Sequence, residues 1–523
     1  MRYSQQLGQW NFSIDELGYK AKVTVPHTWN VDEKVMKHRG KAVYETSVFI
    51  DEDKQCKKAY LKFNAVYHSA KVYVNGSFVG EHSRSGYTPF TVDITKAVTF
   101  GADNTIKVEV DNTHNEEMLP YKDAFDWADD GGIIRKVELQ FLEPDGIEYM
   151  HITENIEHID GEFASGTLNI KTNITKPCKI KIYDYSTGEL VLESDSLTVP
   201  YENLKLWSCY SPNLYIVTLE TDNDLIEQRI GIRRIEVKGE KVYLNGKEIY
   251  LKGCEWMPGS HPDFGMAEPL EHSLKCLRQL KTAGCVFTRF HWQQDEALFD
   301  WCDENGLLVQ EEIPYWGYPK QATPLQLDIA KQQADEMIYY HFNHPSIVCW
   351  GVGNELGAET EPTIQYVKDI IGYIKAKDSR LVNYVSNTLS RIENTDKDDA
   401  TLYGDIAMWN DYLGLWEPSD DIPNHMKRTC KKADGMPLLV SEFGLCEPHF
   451  KGGDKERARI LKERLEMYKI IPNICGYMWF SLNDYRTHCG EECEDRLRRR
   501  VHGSTDLYGN EKPSYRLLCE LQK

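Results

Sequence analysis

Over residues 10–141, apolar and polar side chains alternate in short runs closed by turn residues. Residues 42–50, 59–63, 70–74 and 105–110 are the clearest runs, rich in Val, Ile, Tyr and Phe, and predict strands with one buried face. In KVYVNGSFVG, Asn75 and Gly76 supply the two positive-φ positions of a tight hairpin turn. No long amphipathic pattern interrupts these runs, so the segment predicts an all-β sandwich. A second β segment follows over residues 146–235, with strands predicted at 167–173, 179–184, 189–192 and 214–220. Their spacing fits an immunoglobulin-like sandwich of about 90 to 100 residues. The Pro144-Asp145-Gly146 turn marks one expected boundary and residues 236–240 the next.

After Val242 the period changes. Short apolar runs at 248–253, 286–291, 307–313, 347–352, 381–386, 402–408, 437–441 and 476–481 alternate with amphipathic segments. Leu270, Leu274 and Leu277, then Ile364, Val367, Ile371 and Ile374, then Leu461, Leu465 and Tyr468 each fall on one helical face. Gly284 and Gly306 stand where helix C-terminal caps belong. Eight strands with intervening helices predict a (β/α)8 TIM barrel, its fifth unit weakest because residues 391–400 are polar.

Composition narrows the function. A net charge of -21 argues against an extended nucleic-acid or anionic-membrane surface, so neither partner is expected. The first residues show no apolar signal core, and no run of about 18 apolar residues occurs anywhere, so a cytoplasmic enzyme is the expectation. The 14 cysteines are scattered, without a C-x-x-C pair, and suit reduced core thiols. His488, Cys489 and Cys493 lie close together, but not at a standard metal spacing. One basic run, Arg496 to Arg500, stands apart in this acidic chain.

In a barrel of this kind the functional groups sit at the C-terminal ends of the strands. Those ends carry Glu255 and Trp256; Arg289, His291 and Trp292; Glu311 and Glu312; Asn354 and Glu355; Asn387; Trp409, Asn410 and Tyr412; Glu442; and Trp479, Asn483 and Asp484. There is no Ser-His-Asp set, no H-E-x-x-H and no glycine-rich phosphate loop. Carboxylates among amides and indoles are what glycoside hydrolysis needs: one protonates the leaving oxygen and the other attacks the anomeric carbon. Glu355, ending the apolar run 346–352, would be the acid/base, and Glu442, three strands on, the nucleophile. Asn354 would bond the sugar 2-hydroxyl and Trp479 would face the sugar's C–H side. A lone Glu at one strand tip is ordinarily solvated or caps a helix; two on separate tips are the stronger signal.

These residues give the chain a resemblance to glycoside hydrolase family 2, the family of β-galactosidases, β-glucuronidases and β-mannosidases. FNHPSIVCWGVGNE, ending at Glu355, resembles the family's acid/base motif, and PLLVSEFG, containing Glu442, its nucleophile motif. VNGSFVG, GYTPFTVDIT, LYIVTLE, GIRR and LNGKEIYLKG are similar to further family segments. The resemblance implies a jelly-roll sugar-binding-like domain over residues 1–145, an immunoglobulin-like β-sandwich over 146–236 and a catalytic (β/α)8 barrel over 237–523. It also implies that Asp126, His291, Asn410, Tyr412 and Trp479 bind substrate.

The sequence departs from the family in places. TRFHW sets Arg289 only two residues before His291, EEIPYWG lacks the metal-binding His of magnesium-dependent relatives, and VHGSTDLYG has Ser504, Thr505 and Asp506 where β-glucuronidases carry Asn-x-Lys. Arg486, His488 and Arg498 to Arg500 are the candidates for a carboxylate clamp, with a solvated basic turn as the alternative. The expectation is a retaining exo-β-glycosidase acting on terminal β-linked sugars, a β-galactoside ahead of a glucuronide or galacturonide, with no metal or other cofactor and a possible homo-oligomeric state. A carbohydrate-binding protein without catalysis and a metal-dependent hydrolase using His488, Cys489 and Cys493 remain as alternatives.

Overall fold

The computed structural model describes every residue except 1, 123–125, 318, 448, 488–498 and 523. His488, Cys489, Cys493 and residues 496–498 of the basic run therefore lie outside the described residues.

The N-terminal part is a sandwich of two antiparallel sheets. Six strands run in the order Tyr19–Thr24, Gln9–Ile14, Lys41–Ile50, Ala102–Asp111, Ser69–Val74 and Ser77–His82. They face a second sheet of Tyr3–Gln6, Val137–Leu142, Lys58–Phe63 and Phe90–Asp93. The alternation read from sequence is the burial pattern found: Trp10, Phe12, Tyr44, Leu61, Val72, Val108 and Leu139 meet in one core. Asn75 and Gly76 take φ of 50° and 80°, as the hairpin turn requires. Between Ala102–Asp111 and Val137–Leu142 the chain makes an excursion in which residues 126–136 reach the barrel. Arg135 anchors it, donating to the Tyr87 and Gln293 carbonyls at 2.6 Å each.

The second sandwich pairs a sheet of Met150–Asp160, Phe163–Thr172 and Thr198–Lys205 with one of Leu190–Ser194, Lys179–Asp184, Tyr215–Glu220 and Leu225–Ile230. Arg233 ties it to the barrel. Its guanidinium donates to the Pro345 and Ile347 carbonyls at 3.0 and 3.1 Å and pairs with Glu154 at 3.1 Å.

Eight parallel strands close the barrel: β1 Leu251–Cys254, β2 Phe287–Phe290, β3 Leu308–Glu312, β4 Ile347–Asn354, β5 Leu381–Ser386, β6 Ala407–Asn410, β7 Leu438–Glu442 and β8 Ile474–Trp479. Around them lie α1 Leu270–Thr282, α2 Glu296–Asn305, α3 Pro324–His341, α4 Glu361–Lys375, α5 Ile422–Lys431, α6 Gly453–Tyr468 and α7 Pro513–Gln522. A hairpin of Lys241–Leu244 and Lys247–Glu248 closes the bottom, where Val242 and Leu244 pack on Phe287, Leu308, Cys349 and Leu439. Residues 247–248 thus belong to this hairpin, and β1 begins later than the apolar run implied. The sixth strand is corrected likewise. Ala400–Tyr403 is a 3-10 turn capped by Asp399, whose carboxylate accepts from the Thr401 amide at 3.0 Å, and the strand begins only at Ala407. That turn replaces a helix in the fifth unit. No helix among the described residues is long and apolar enough to cross a membrane.

Strand β4 is buried along its whole length, as a strand covered on both faces must be. Its end is irregular. The register with β5 shifts between Gly351 and Asn354, and Gly353 takes a φ of 149°. Glu355 then adopts the left-handed region at φ 55°, with its amide held by the Val385 carbonyl at 3.0 Å. For a side chain with a Cβ this conformation costs roughly 1–2 kcal/mol. Strain of this kind gathers at functional sites, where it re-aims a side chain.

Candidate active site

Arg289 is the centre of the barrel mouth, where the spacing TRFHW had left its direction open. Residues i and i+2 of a strand share a face, so Arg289 and His291 point inward together. The guanidinium is fully buried and donates to both oxygens of Glu312 at 2.9 and 3.0 Å, to Glu255 at 2.8 Å and to Glu442 at 3.1 Å. Glu312 reaches it because Gly351 has no Cβ; one built there would lie 2.6 Å from the Glu312 side chain. Glu311, one residue earlier, points outward to His341 at 2.9 Å, and both carboxylates are buried.

This cluster sets the charges. Burial alone would raise the Glu312 pKa, but Arg289 and His291 hold it down at about 2. Burial and the adjacent guanidinium oppose protonation of His291, yet Glu255 at 3.0 Å and Glu312 outweigh them and push its pKa up to about 10. Glu442 is pushed the other way from most carboxylates. Burial and the charges of Glu255 and Glu355 raise it, while Arg289 and His291 act against them.

Strand β6 connects the two candidate carboxylates. Asn410 stands beside Glu442 in the sheet register and donates through Nδ2 to Glu355 at 2.7 Å and to Asn354 at 3.2 Å. Its Oδ1 accepts from Ser441 at 2.8 Å, which fixes the amide's orientation. Two residues on, the Tyr412 hydroxyl donates to Glu442 at 3.0 Å, and burial with the Glu442 charge keeps that phenol protonated. The second oxygen of Glu355 accepts from the Trp316 indole at 3.3 Å.

Both carboxylates line one cavity of about 320 Å³. The excursion from the first sandwich brings Asp126 and Trp127 to its wall. The Trp127 ring stacks on Trp292 at 4.5 Å and lies 5.9 Å from His291. Asp126 accepts from Tyr485 at 2.7 Å and Thr487 at 3.2 Å and pairs with Arg500 at 3.0 Å; burial still raises it to about 6. His502 lies beside them, 2% exposed, ring-stacked on Tyr485, with neither ring nitrogen bonded to any described residue. Burial, with the charges of Arg500, Arg457 and Lys512, keeps it neutral.

Three family models match in order along the chain: the family 2 glycosyl hydrolase sugar binding domain over residues 7–143, glycosyl hydrolases family 2 over 137–233, and the family 2 TIM barrel domain over 235–479. The chain belongs to glycoside hydrolase family 2. It is a β-glycosidase of that family, hydrolysing O-glycosyl bonds. A β-glucuronidase of Bacteroides fragilis is 26% identical over 83% of the chain and 67% of its own length. A β-galactosidase of Thermoanaerobacterium thermosulfurigenes is 28% identical over 95% of the chain and 71% of its own. In fold, a β-glucuronidase of Ruminococcus gnavus superposes with a TM-score of 0.90 at 22% identity, over 100% of this chain and 98% of that one.

Within this family 2 chain, Asn354, Glu355, Glu442, Asp126, His291, Asn410 and Tyr412 all converge on the cavity. Two residues expected there do not. Trp479 is fully buried behind the wall, its ring edge-on to Phe443 and its indole N–H donated to Ser504 at 2.9 Å. Arg486 is buried in a pair with Asp130, bonding its Oδ1 at 2.9 Å, and so cannot serve as the carboxylate clamp. Ser504 and Thr505 likewise bond inside the protein, while Arg500 and His502 face the cavity instead. Glu255, His291 and Glu442 lie close enough to ligate a metal ion, but the Arg289 guanidinium already bonds both carboxylates. A second such group among the described residues, Asp300, Asp303 and His344, is faced by Arg229.

Proposed function

We propose that the family 2 enzyme is a retaining exo-β-glycosidase with Glu442 as nucleophile and Glu355 as acid/base. The observation that carries this reading is the shared cavity, in which Arg289 and Tyr412 hold Glu442 while Asn410 and Trp316 hold Glu355. Arg289 and His291 oppose the rise that burial and the neighbouring carboxylates impose on Glu442, and so favour its carboxylate form, the form that attacks. Glu355, which accepts from the Asn410 amide and the Trp316 indole, gives its proton to the glycosidic oxygen as the Glu442 oxygen bonds the anomeric carbon. In the second step Glu355 takes a proton from water, whose oxygen displaces Glu442, so configuration is retained. Asn354 is placed to bond the 2-hydroxyl, where the contact strengthens as positive charge grows on the ring. Asp126 and His291 hold the remaining hydroxyls.

A specific observation favours an acidic sugar over the neutral galactoside. Arg500 offers a guanidinium to the cavity, and the neighbouring His502 is buried with both nitrogens unbonded among the described residues. A buried, unpaired imidazole is costly unless a ligand completes it. A uronide carboxylate can take one bond from each. Relatives named β-glucuronidase and β-galactosidase both occur at similar identity, so the chemistry of this wall carries the choice.

The test is a panel of nitrophenyl β-glycosides: galactoside, glucuronide, galacturonide, glucoside and mannoside. Glu442→Gln should abolish turnover of every substrate, and azide should rescue Glu355→Ala. Arg500→Met should lower kcat/KM for a uronide by roughly 10- to 100-fold, the value of a charge-assisted hydrogen bond, while sparing a galactoside. Wild-type turnover in Glu442→Gln sinks the catalytic reading; a galactoside preference untouched by Arg500→Met sinks the uronide reading.

A further inference from the structure

Helix α6 turns one face inward, and that face carries two arginines. Ile460, Leu461, Leu465 and Tyr468 are buried there, as amphipathic spacing requires, but Arg457 and Arg464 are buried with them, only 1% and 7% exposed. Seven residues make two helical turns, so the two guanidiniums leave the same face about 10 Å apart. Buried ion pairs often stabilise a fold no more than apolar side chains of the same volume. What these two arginines hold is therefore more telling than their burial.

Each bonds a carboxylate and also the main chain of a segment that lines the cavity. Arg464 pairs through Nε with Asp411 at 3.1 Å and donates through Nη2 to the Leu413 carbonyl. The Tyr468 hydroxyl donates to the same carboxylate at 2.7 Å, and the Asp411 amide donates to the Glu442 carbonyl at 2.7 Å. Asp411 stands between Asn410, which bonds Glu355, and Tyr412, which bonds Glu442, so both are fixed from behind. Arg457 donates through Nη2 to the Val501 carbonyl at 2.7 Å and to Glu447 at 2.8 Å, and through Nη1 to Asp454 at 3.2 Å. Asp454 is itself held by the Ser514 amide at 2.8 Å, and the Val501 amide donates to the Glu447 carbonyl at 3.1 Å. Val501 separates Arg500 from His502, both of which line the cavity. Tyr485–Arg486 pairs with one edge of this strand, and Arg457 with Glu447 secures the other.

We infer that Arg457 and Arg464 are positioning residues through which one helix sets two separate parts of the site: Arg464 holds Asn410 and Tyr412 against the two carboxylates, and Arg457 holds Arg500 and His502 against the sugar. Neither touches the reacting atoms. The inference rests on the glycosidase reading above, and its Arg457 half on the acidic-sugar reading. Displacing such groups by about 1 Å costs on the order of 100-fold in rate. Because the two arginines hold different segments, their loss leaves different signatures.

The experiment measures kcat, KM and pH–rate profiles for a nitrophenyl β-glucuronide and β-galactoside in the wild-type chain, Arg464→Lys, Arg457→Lys and Arg500→Met. Lysine keeps the charge beside the carboxylate but cannot also reach the carbonyl. Arg464→Lys should lower kcat by roughly 10- to 100-fold on both sugars and keep their kcat/KM ratio. Its acid limb should also move up by about one unit, because Glu442, set among Arg289, His291, Glu255 and Glu355, loses the Tyr412 bond that favours its carboxylate. Arg457→Lys should instead raise KM for the glucuronide by about tenfold and lower the glucuronide-to-galactoside ratio toward that of Arg500→Met, with the acid limb in place. Asp411→Asn and Glu447→Gln weaken the same two braces without deleting a buried cation, and should give the same changes at smaller size even if a lysine variant does not fold. Wild-type kcat and acid limb in both Arg464→Lys and Asp411→Asn, or an equal loss on both sugars in Arg457→Lys and Glu447→Gln while Arg500→Met lowers the ratio, overturns the inference and leaves the proposed function standing. A ratio that Arg500→Met also leaves unmoved overturns the acidic-sugar reading and the Arg457 half with it.

Discussion

Replacing Arg289 by Met removes the guanidinium that touches Glu255, Glu312 and Glu442 together, leaving the protonated His291 facing the same three carboxylates. All four groups are buried, so water screens little of the loss. Breaking a buried pair by deleting one partner costs about 3–5 kcal/mol, and that range is the expected fall in unfolding free energy at pH 7. The sign of the pH dependence follows from Glu312. Arg289 now holds its pKa near 2, so its ionised form stabilises the fold above the ordinary carboxylate range. Without Arg289 the folded-state pKa rises above the unfolded value, and protonation at low pH relieves the penalty. The variant should therefore lose less stability at pH 5 than at pH 7.

Glu442 adds a kinetic signature. Its pKa is already raised, and Arg289 is among the groups restraining it. Activity that needs the carboxylate is lost as pH falls through that pKa. The acid limb of kcat/KM should move up by about one unit or more in Arg289→Met, equivalent to about 1.4 kcal/mol per unit. Arg289→Lys keeps the charge and should leave the limb near its wild-type position, while still losing the two-pronged hold on Glu312. Denaturant melts at both pH values and pH–rate profiles on an aryl glycoside measure these effects. A loss under about 1 kcal/mol with an unmoved acid limb would refute the electrostatic reasoning.

Three further outcomes follow from single contacts. Asn410→Ala removes the donor to Glu355 and orphans Asn354, so kcat/KM should fall by roughly 30- to 150-fold, more for poor leaving groups; less than about a threefold change contradicts the role assigned to it. Gly351→Ala pushes a methyl into Glu312 and should destabilise the protein by about 1–3 kcal/mol, checked by the denaturant midpoint, with an unchanged midpoint as the contrary result. Because Glu355 occupies the left-handed region, Glu355→Gly should be about 1 kcal/mol more stable than Glu355→Ala. Equal stability of those two variants would mean the backbone there is unstrained.

Much of this architecture is legible because it depends on local periodicity. The apolar run ending at Asn354 and Glu355, the Asn75-Gly76 turn and the cap at Gly306 each follow from a few neighbouring residues. Arg289 was not legible in this way: period two puts it on the face of His291, but the departure of TRFHW from the family spacing left its direction open. Its role appears only with Glu255 and Glu312, which arrive from other strands. Trp479 ends its strand as expected, but its ring turns to Phe443 and Ser504, a packing choice that periodicity does not encode. Arg486 finds Asp130 across 356 residues of chain, and Arg500 and His502 reach the cavity because Arg499–Arg500 pairs with Tyr485–Arg486. Trp316 sits on a loop, where no period marks it. The residues that would choose the sugar are thus the ones set by long-range packing.

In the proposed mechanism Glu442 becomes covalently bonded to the sugar. A 2-deoxy-2-fluoro glycoside with a dinitrophenolate leaving group slows both steps but keeps the first one measurable. Proteolysis and mass spectrometry of the inactivated enzyme should find one fluorosugar on the peptide containing Glu442, with none in Glu442→Gln. Label on any other residue, or undiminished turnover with no label at all, would contradict the account.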